Sequence, residues 1–368
     1  MKKPLKILFF LYMMAALLFG FMHHLVPHTP FSFERLHIFL FNLCSGGTIL
    51  LYYTENRQRL SLRSGAFLVL STLYAVLVFF EIYIPSVLLS IVLATIVEQV
   101  RIARFSLLPW GFFRNSEPVY EKFHQASLLC LSMGLVISSL VILNNEYFHL
   151  IQNFPKLQLN TFFLGFSFPL SLITFSMIFS LMPEKEAPSI IALKNFGFWA
   201  VNLGVITFFL FIIFERFLPQ VAVTLLLFFT VTMIFFLYRK KGYVRQQKNF
   251  LSSGIGFLIF TAVSGILYIF YEFSPDYTPE KYKWLLKLHA FSSLYGWNIC
   301  GLSIILRLTD FPLKLHSGRV VLFHWITVVV LLPLGTFYKV LSIPAFICYF
   351  TVLYLILFTM GEGELARL

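Results

Sequence analysis

The feature that most constrains this chain is a succession of long apolar runs joined by short polar connections. A helix needs roughly 20 mainly apolar residues to cross about 30 Å of hydrocarbon, where every backbone N–H and C=O must be bonded within the segment. Twelve such runs can be read, near residues 7–26, 36–54, 64–82, 84–100, 123–143, 160–182, 196–214, 219–238, 250–271, 287–306, 320–338 and 340–360. A composition of 59% hydrophobic and 12% charged residues, with mean hydropathy +0.84, belongs to the same class. The expected fold class is all-α: a polytopic membrane protein of about 12 transmembrane helices.

Threading the runs from a cytoplasmic N-terminus places 21 Lys and Arg on the inner side, among them Arg59, Arg63, Arg101, Arg104, Arg114, Arg239, Lys240 and Lys241, and leaves seven outside. This positive-inside bias puts both termini in the cytoplasm and predicts an integral protein of a bacterial inner membrane. The first run follows Lys2, Lys3 and Lys6 but is long and lacks a small-x-small cleavage site, so it reads as an anchor helix. The net charge of +12 then lies in inner loops facing anionic lipid, and nucleic acid is excluded as a partner. The lipid bilayer is the expected environment.

Cys44, Cys130, Cys300 and Cys348 lie singly within runs and read as packing residues. The longest connection, about 20 residues around 101–122, is too short for a soluble domain, so residues 1–368 are expected to form one transmembrane domain. No internal repeat stands out, and no phosphate-binding Gly-rich loop, nucleophile elbow or His-x-x-x-His zinc helix is present.

Ionisable groups inside a membrane are costly and mark function. Glu81, Glu215 and Glu272 fall at outer ends of runs and Glu98 at an inner end, which leaves no carboxylate at mid-depth. That argues against a proton-coupled small-solute transporter, although twelve helices would suit one. His37 and His289 both enter the outer third of the bilayer, His124 and His324 lie near the inner surface, and His23 and His24 close the first run. Neutral imidazoles from different helices at one depth suit a b-type heme held between them; a His in a first helical turn equally suits water or a backbone carbonyl. Asn42, Asn202 and Asn298 read as interhelical hydrogen-bonding groups, and Ser253, Gly254, Gly256, Ser264 and Gly265 as a close-packing surface. The 46 Phe residues read as core and lipid-facing filler.

The segment Arg35-Leu36-His37-Ile38-Phe39-Leu40-Phe41-Asn42-Leu43-Cys44-Ser45-Gly46-Gly47 resembles the second helix of heme-copper oxidase catalytic subunits (subunit I), closest to the cbb-type oxidase and nitric oxide reductase branch. In that family the His is an axial ligand of the low-spin heme. His289-Ala290-Phe291-Ser292-Ser293-Leu294-Tyr295-Gly296-Trp297 is similar to the family's His-x-His-Ser-x-x-x-Gly-Trp and sets His289 on the high-spin heme ligand. Weaker similarities follow in the family's order at Phe163-Leu164-Gly165 through Met182-Pro183, at Phe198-Trp199 and at Phe323-His324-Trp325.

The departures are specific too. Phe166 stands where the family has a copper-ligating His, Phe211-Ile212 stand where it has His-His, Phe291 replaces the second low-spin ligand, and no tyrosine falls within 189–198. The resemblance therefore implies a subunit I-like bundle with no copper site. It implies a heme b at most, and a component of an oxidoreductase rather than a copper-dependent oxygen reductase. Positions 289 and 291 point roughly 160° apart on a helix, at about 100° per residue, so His289 does not simply replace the lost ligand opposite His37. Three arrangements stay open: a five-coordinate heme on His289, a heme on His37 with a new partner in His23 or His24, or no heme. His124 and His324 form a further candidate pair. The functions implied are electron transfer or binding of NO, CO or O2, beside respiratory electron-donor subunits. The alternative is a heme-free scaffold or assembly protein of a respiratory complex.

Overall fold

The computed structural model describes residues 1–26, 31–56, 59–151, 156, 163–244, 247–308, 315 and 317–359, and the side chain of His24 lies outside that set. Among the described residues there is no strand. The chain is an all-α polytopic bundle whose long helices we number α1 Lys3–Leu25, α2 Phe33–Glu55, α3 Leu62–Phe79, α4 Tyr83–Arg104, α5 Val119–Phe148, α6 Gly165–Ser180, α7 Pro188–Ile213, α8 Phe217–Lys241, α9 Gln247–Glu272, α10 (279–306), α11 Gly318–Phe337 and α12 Lys339–Phe358.

Ten of these are long and apolar enough to cross a membrane. The sixth expected run appears as a shorter apolar helix, and residues 160–162 at its start lie outside the described set. The tenth is a continuous helix that begins at Pro279, well before the expected 287, and is too polar to qualify on composition, with Lys287, His289, Ser292, Ser293 and Asn298 in its path. Large side chains such as Leu11, Val69, Leu88, Leu140, Phe229 and Ile343 stand exposed on the helix surfaces, as lipid-facing residues do.

Chain contacts divide into two compact units. The first comprises Met1–Glu117, Glu121–Ile173 and Ile305–Thr309; the second comprises Pro118–Tyr120, Thr174–Ile304 and Asp310–Leu368.

In the first unit α2 is the central helix. It packs on α1, α3, α4 and α6, and 83% of its apolar window is buried against 44% for α1, so it meets protein where the others meet lipid. Small residues make this possible: a β-carbon on Gly46 would strike Leu170, and one on Gly47 would lie 2.9 Å from the ring of Phe67. In the second unit, α7 packs on α8, α8 on α9 and α9 on α10, while α10 also meets α11 and α11 meets α12. From Leu294 to Ile304 every residue of α10 is buried.

Both central helices contain π-helical turns, Phe39–Gly47 in α2 and Ser292–Asn298 in α10. The wider turn shows in Ser45, whose hydroxyl donates to the carbonyl of Leu40 five residues back at 2.8 Å. Such turns rotate the following segment about the helix axis and occur often at functional sites.

Candidate functional site

His37 leans from the first turn of α2 onto α1, where its Nδ1 lies 2.8 Å from the carbonyl oxygen of Ala16. A carbonyl only accepts, so Nδ1 carries the proton, and in the neutral imidazole the lone pair is on Nε2. His289 is set in the same way in the second unit, with Nδ1 2.9 Å from the carbonyl of Thr261 on α9. Each ring also lies against a glycine one turn beyond its acceptor. A β-carbon on Gly20 would stand 2.9 Å from Nδ1 of His37, and one on Gly265 would stand 3.1 Å from Nδ1 of His289.

The two segments read alike once four residues are allowed between their halves. Leu36-His37-Ile38-Phe39 matches Leu288-His289-Ala290-Phe291, and Phe41-Asn42-Leu43-Cys44 matches Trp297-Asn298-Ile299-Cys300. In both cases the similar residues lie on the helix that carries the candidate ligand and across its π-helical turn. A difference of four residues is close to one helical turn, which keeps the facing of the second half while breaking a fixed-period comparison.

The remaining candidate histidines are set differently. His124 is fully buried, and its Nε2 lies 2.8 Å from Oγ1 of Thr54, whose own proton goes to the carbonyl of Leu50. Nε2 is therefore the donor, while Nδ1 lies 4.0 Å from Oε2 of Glu121. The ring stacks on Tyr53 and meets Phe105 edge-on, so it is packed within this chain.

His324 donates from Nε2 to the carbonyl of Tyr295 at 2.7 Å and packs on Phe257. Its Nδ1 is buried with no hydrogen-bond partner among the described residues. His23 stands half-exposed with Nε2 3.8 Å from Glu34. His24 belongs to α1, but its side chain is not described.

The positions of the copper and second heme ligands of the resembled family hold packed aromatics. Phe166 is fully buried edge-on to Phe39 with centroids 5.6 Å apart, and Phe291 stacks on Tyr295 at 5.8 Å. Among the described residues no three His, Cys, Asp or Glu side chains gather in metal-binding range. Asn202 spends its amide on the carbonyl of Phe198 in its own helix, contrary to the expected interhelical bond, while Asn42 is buried with Oδ1 unpartnered among the described residues.

Sequence reasoning missed Tyr295 and Tyr349, two fully buried phenols whose rings meet edge-on at 4.7 Å beside His324. Nothing in a hydrophobic run distinguishes such tyrosines from filler. The close-packing reading of α9 holds at Gly254 against Cys300 and at Ser253, which accepts from Nε1 of Trp325. At Gly265 the packed neighbour is the candidate ligand itself.

The sequence matches no family model, no curated protein and no solved structure.

Proposed function

We propose that the chain is a twelve-helix membrane protein of the heme-copper oxidase subunit I type, without the copper ligands, that holds b-type heme with His37 and His289 each an axial ligand within its own unit, and serves electron transfer or the binding of NO, CO or O2. The observation that carries this reading is the shared state of the two imidazoles. Each is anchored through Nδ1 to a backbone carbonyl of the preceding helix, the arrangement that fixes the ring of an iron-ligating His whose ligand nitrogen is Nε2. Each stands half-buried just before the enclosed stretch of its helix, 38–52 in α2 and 294–304 in α10. When bound, heme supplies one-electron chemistry or an open iron position for a diatomic gas.

The same geometry narrows the ligand set. α1 takes the Nδ1–H of His37, so that helix lies on the Nδ1 side of the ring. His124 already donates Nε2–H to Thr54 and packs against Tyr53 and Phe105. Packed Phe166 and Phe291 support a reading in which neither copper nor a second axial ligand is recruited at those positions. With both termini cytoplasmic, His37 and His289 sit toward the outer face of a bacterial inner membrane, where an electron-donor subunit would reach them.

The test is an oxidised and dithionite-reduced absorption spectrum of detergent-purified protein expressed with ample heme, repeated with carbon monoxide and with His37→Ala and His289→Ala. A Soret band that weakens in both variants is the expected result. Its shift by carbon monoxide assigns gas binding, and its indifference assigns electron transfer. A flat spectrum overturns the proposal in favour of a heme-free scaffold.

A further inference from the structure

The backbone carbonyl of residue i in an α-helix is already engaged by the N–H of residue i+4 and has one lone pair left. Access to that lone pair is controlled by residue i+4. Every Cα–Cβ bond of a helix tilts toward the N-terminus, so the β-carbon at i+4 stands over the carbonyl at i. A glycine there uncovers it.

This is the situation at both candidate ligands. Ala16 accepts from His37 and Gly20 lies four residues on; Thr261 accepts from His289 and Gly265 lies four residues on. In each case the ring occupies the space where the missing β-carbon would be: 2.9 Å, 3.2 Å and 3.3 Å from Nδ1, Cε1 and Cγ of His37, and 3.1 Å and 3.2 Å from Nδ1 and Cε1 of His289. At Gly20 a contact of 2.9 Å requires the ring to move off its carbonyl, and at Gly265 the ring must give by a few tenths of an ångström, because the β-carbon belongs to the backbone and has no rotamer to escape by. The arrangement is found in both units, on the helix that precedes the ligand helix, with the same four-residue spacing.

We infer that Gly20 and Gly265 are positioning residues, each opening a helix carbonyl so that His37 or His289 donates Nδ1–H to it and turns Nε2 toward heme iron. The inference rests on the heme-binding reading above. Its chemical content is that the donated Nδ1–H makes the imidazole a stronger electron donor, which favours the ferric state, and holds the ring plane in one orientation.

The experiment uses the full-length protein in detergent, loaded with heme during expression. Gly20→Ala and Gly265→Ala are compared with wild type for midpoint potential and for heme transfer to an excess of apomyoglobin. Gly256→Ala, whose β-carbon would meet Trp325 at 3.1 Å on the same helix as Gly265, controls for helix packing alone. The expected result is about a 10- to 100-fold weakening of heme retention and a higher midpoint potential in the two positioning variants, with the control near wild type.

A second measurement does not depend on an added β-carbon being tolerated. His37→Gly and His289→Gly are reconstituted with imidazole or with 1-methylimidazole, which lacks the N–H. Imidazole should restore the wild-type spectrum at roughly tenfold lower concentration, as the loss of one hydrogen bond of about 1.4 kcal/mol requires. Equal rescue by the two ligands, or unchanged potentials in the alanine variants, overturns the inference while leaving heme binding intact. Wild-type protein without heme overturns both.

Discussion

Gly134 on α5 and Gly165 on α6 meet backbone to backbone: a β-carbon on Gly134 would fall on the Cα of Gly165, and one on Gly165 would stand 2.9 Å from the Cα of Gly134. Helices in lipid associate through such close approach, because no hydrophobic effect separates a protein surface from a lipid tail. Gly134→Val is therefore expected to destabilise the first unit by about 1–3 kcal/mol. The check is a lower midpoint for exposure of buried thiols to a maleimide dye on heating in detergent. Gly65, whose β-carbon would meet nothing within 4 Å, provides the comparison, and Gly65→Ala should leave that midpoint where it is.

His124 and His37 should separate cleanly. Removing the His124 ring leaves the buried Thr54 oxygen without its donor and empties the space between Tyr53 and Phe105. His124→Ala is expected to lower stability by about 1–3 kcal/mol and to leave any heme spectrum unaltered. His37→Ala is expected to do the reverse, changing the spectrum more than the unfolding midpoint.

Glu186 accepts a 2.6 Å ion pair from Lys194, and both side chains are more than nine-tenths buried, whereas Lys241 reaches it at 3.6 Å and is 38% exposed. Lys194 also donates to the carbonyl of Pro183 at 2.6 Å. Glu186→Gln strands a buried ammonium and should cost about 3–5 kcal/mol. Lys241→Gln removes a solvent-screened partner and should cost less than about 1 kcal/mol. Thermal midpoints of the two variants measured side by side decide the order.

Glu98 closes a network at the end of α4, receiving Nε and Nη2 of the buried Arg101 and the hydroxyl of Ser132 at 2.5 Å. Glu98→Gln keeps the shape but removes the charge facing Arg101, with an expected cost of about 2 kcal/mol. Solute uptake by proteoliposomes should be equally absent in wild type and variant, since this carboxylate is bound up in structure. Uptake that depends on Glu98 would revive a transport function.

The helical course of the chain was legible because the constraint behind it is composition over some twenty residues, which survives errors of a few positions at each end. α10 shows the limit. The helix starts at Pro279, and Tyr282 and Leu285 are buried while Glu280, Lys281 and Lys283 stay exposed, so it runs through a stretch that composition alone assigns to a loop. His37 and His289 were singled out by depth and motif, but their anchoring was invisible, since Ala16 and Thr261 accept through the backbone and any residue type offers a carbonyl. Gly20 carried no mark of its partner for the same reason. The partnership of His124 with Thr54 joins residues 70 positions apart, beyond any local pattern.

In both units the helix that offers the carbonyl is made before the helix that needs it: α1 precedes α2, and α9 precedes α10. The earlier member is also the greasier, with mean hydropathy 2.1 for α1 against 1.4 for α2. A ribosome feeding this chain into a membrane thus delivers first a segment that can rest in lipid by itself, with its docking groove already open. The costlier, more polar segment arrives after it and finds a partner waiting, so the order of birth spares each histidine helix a solitary passage through fat.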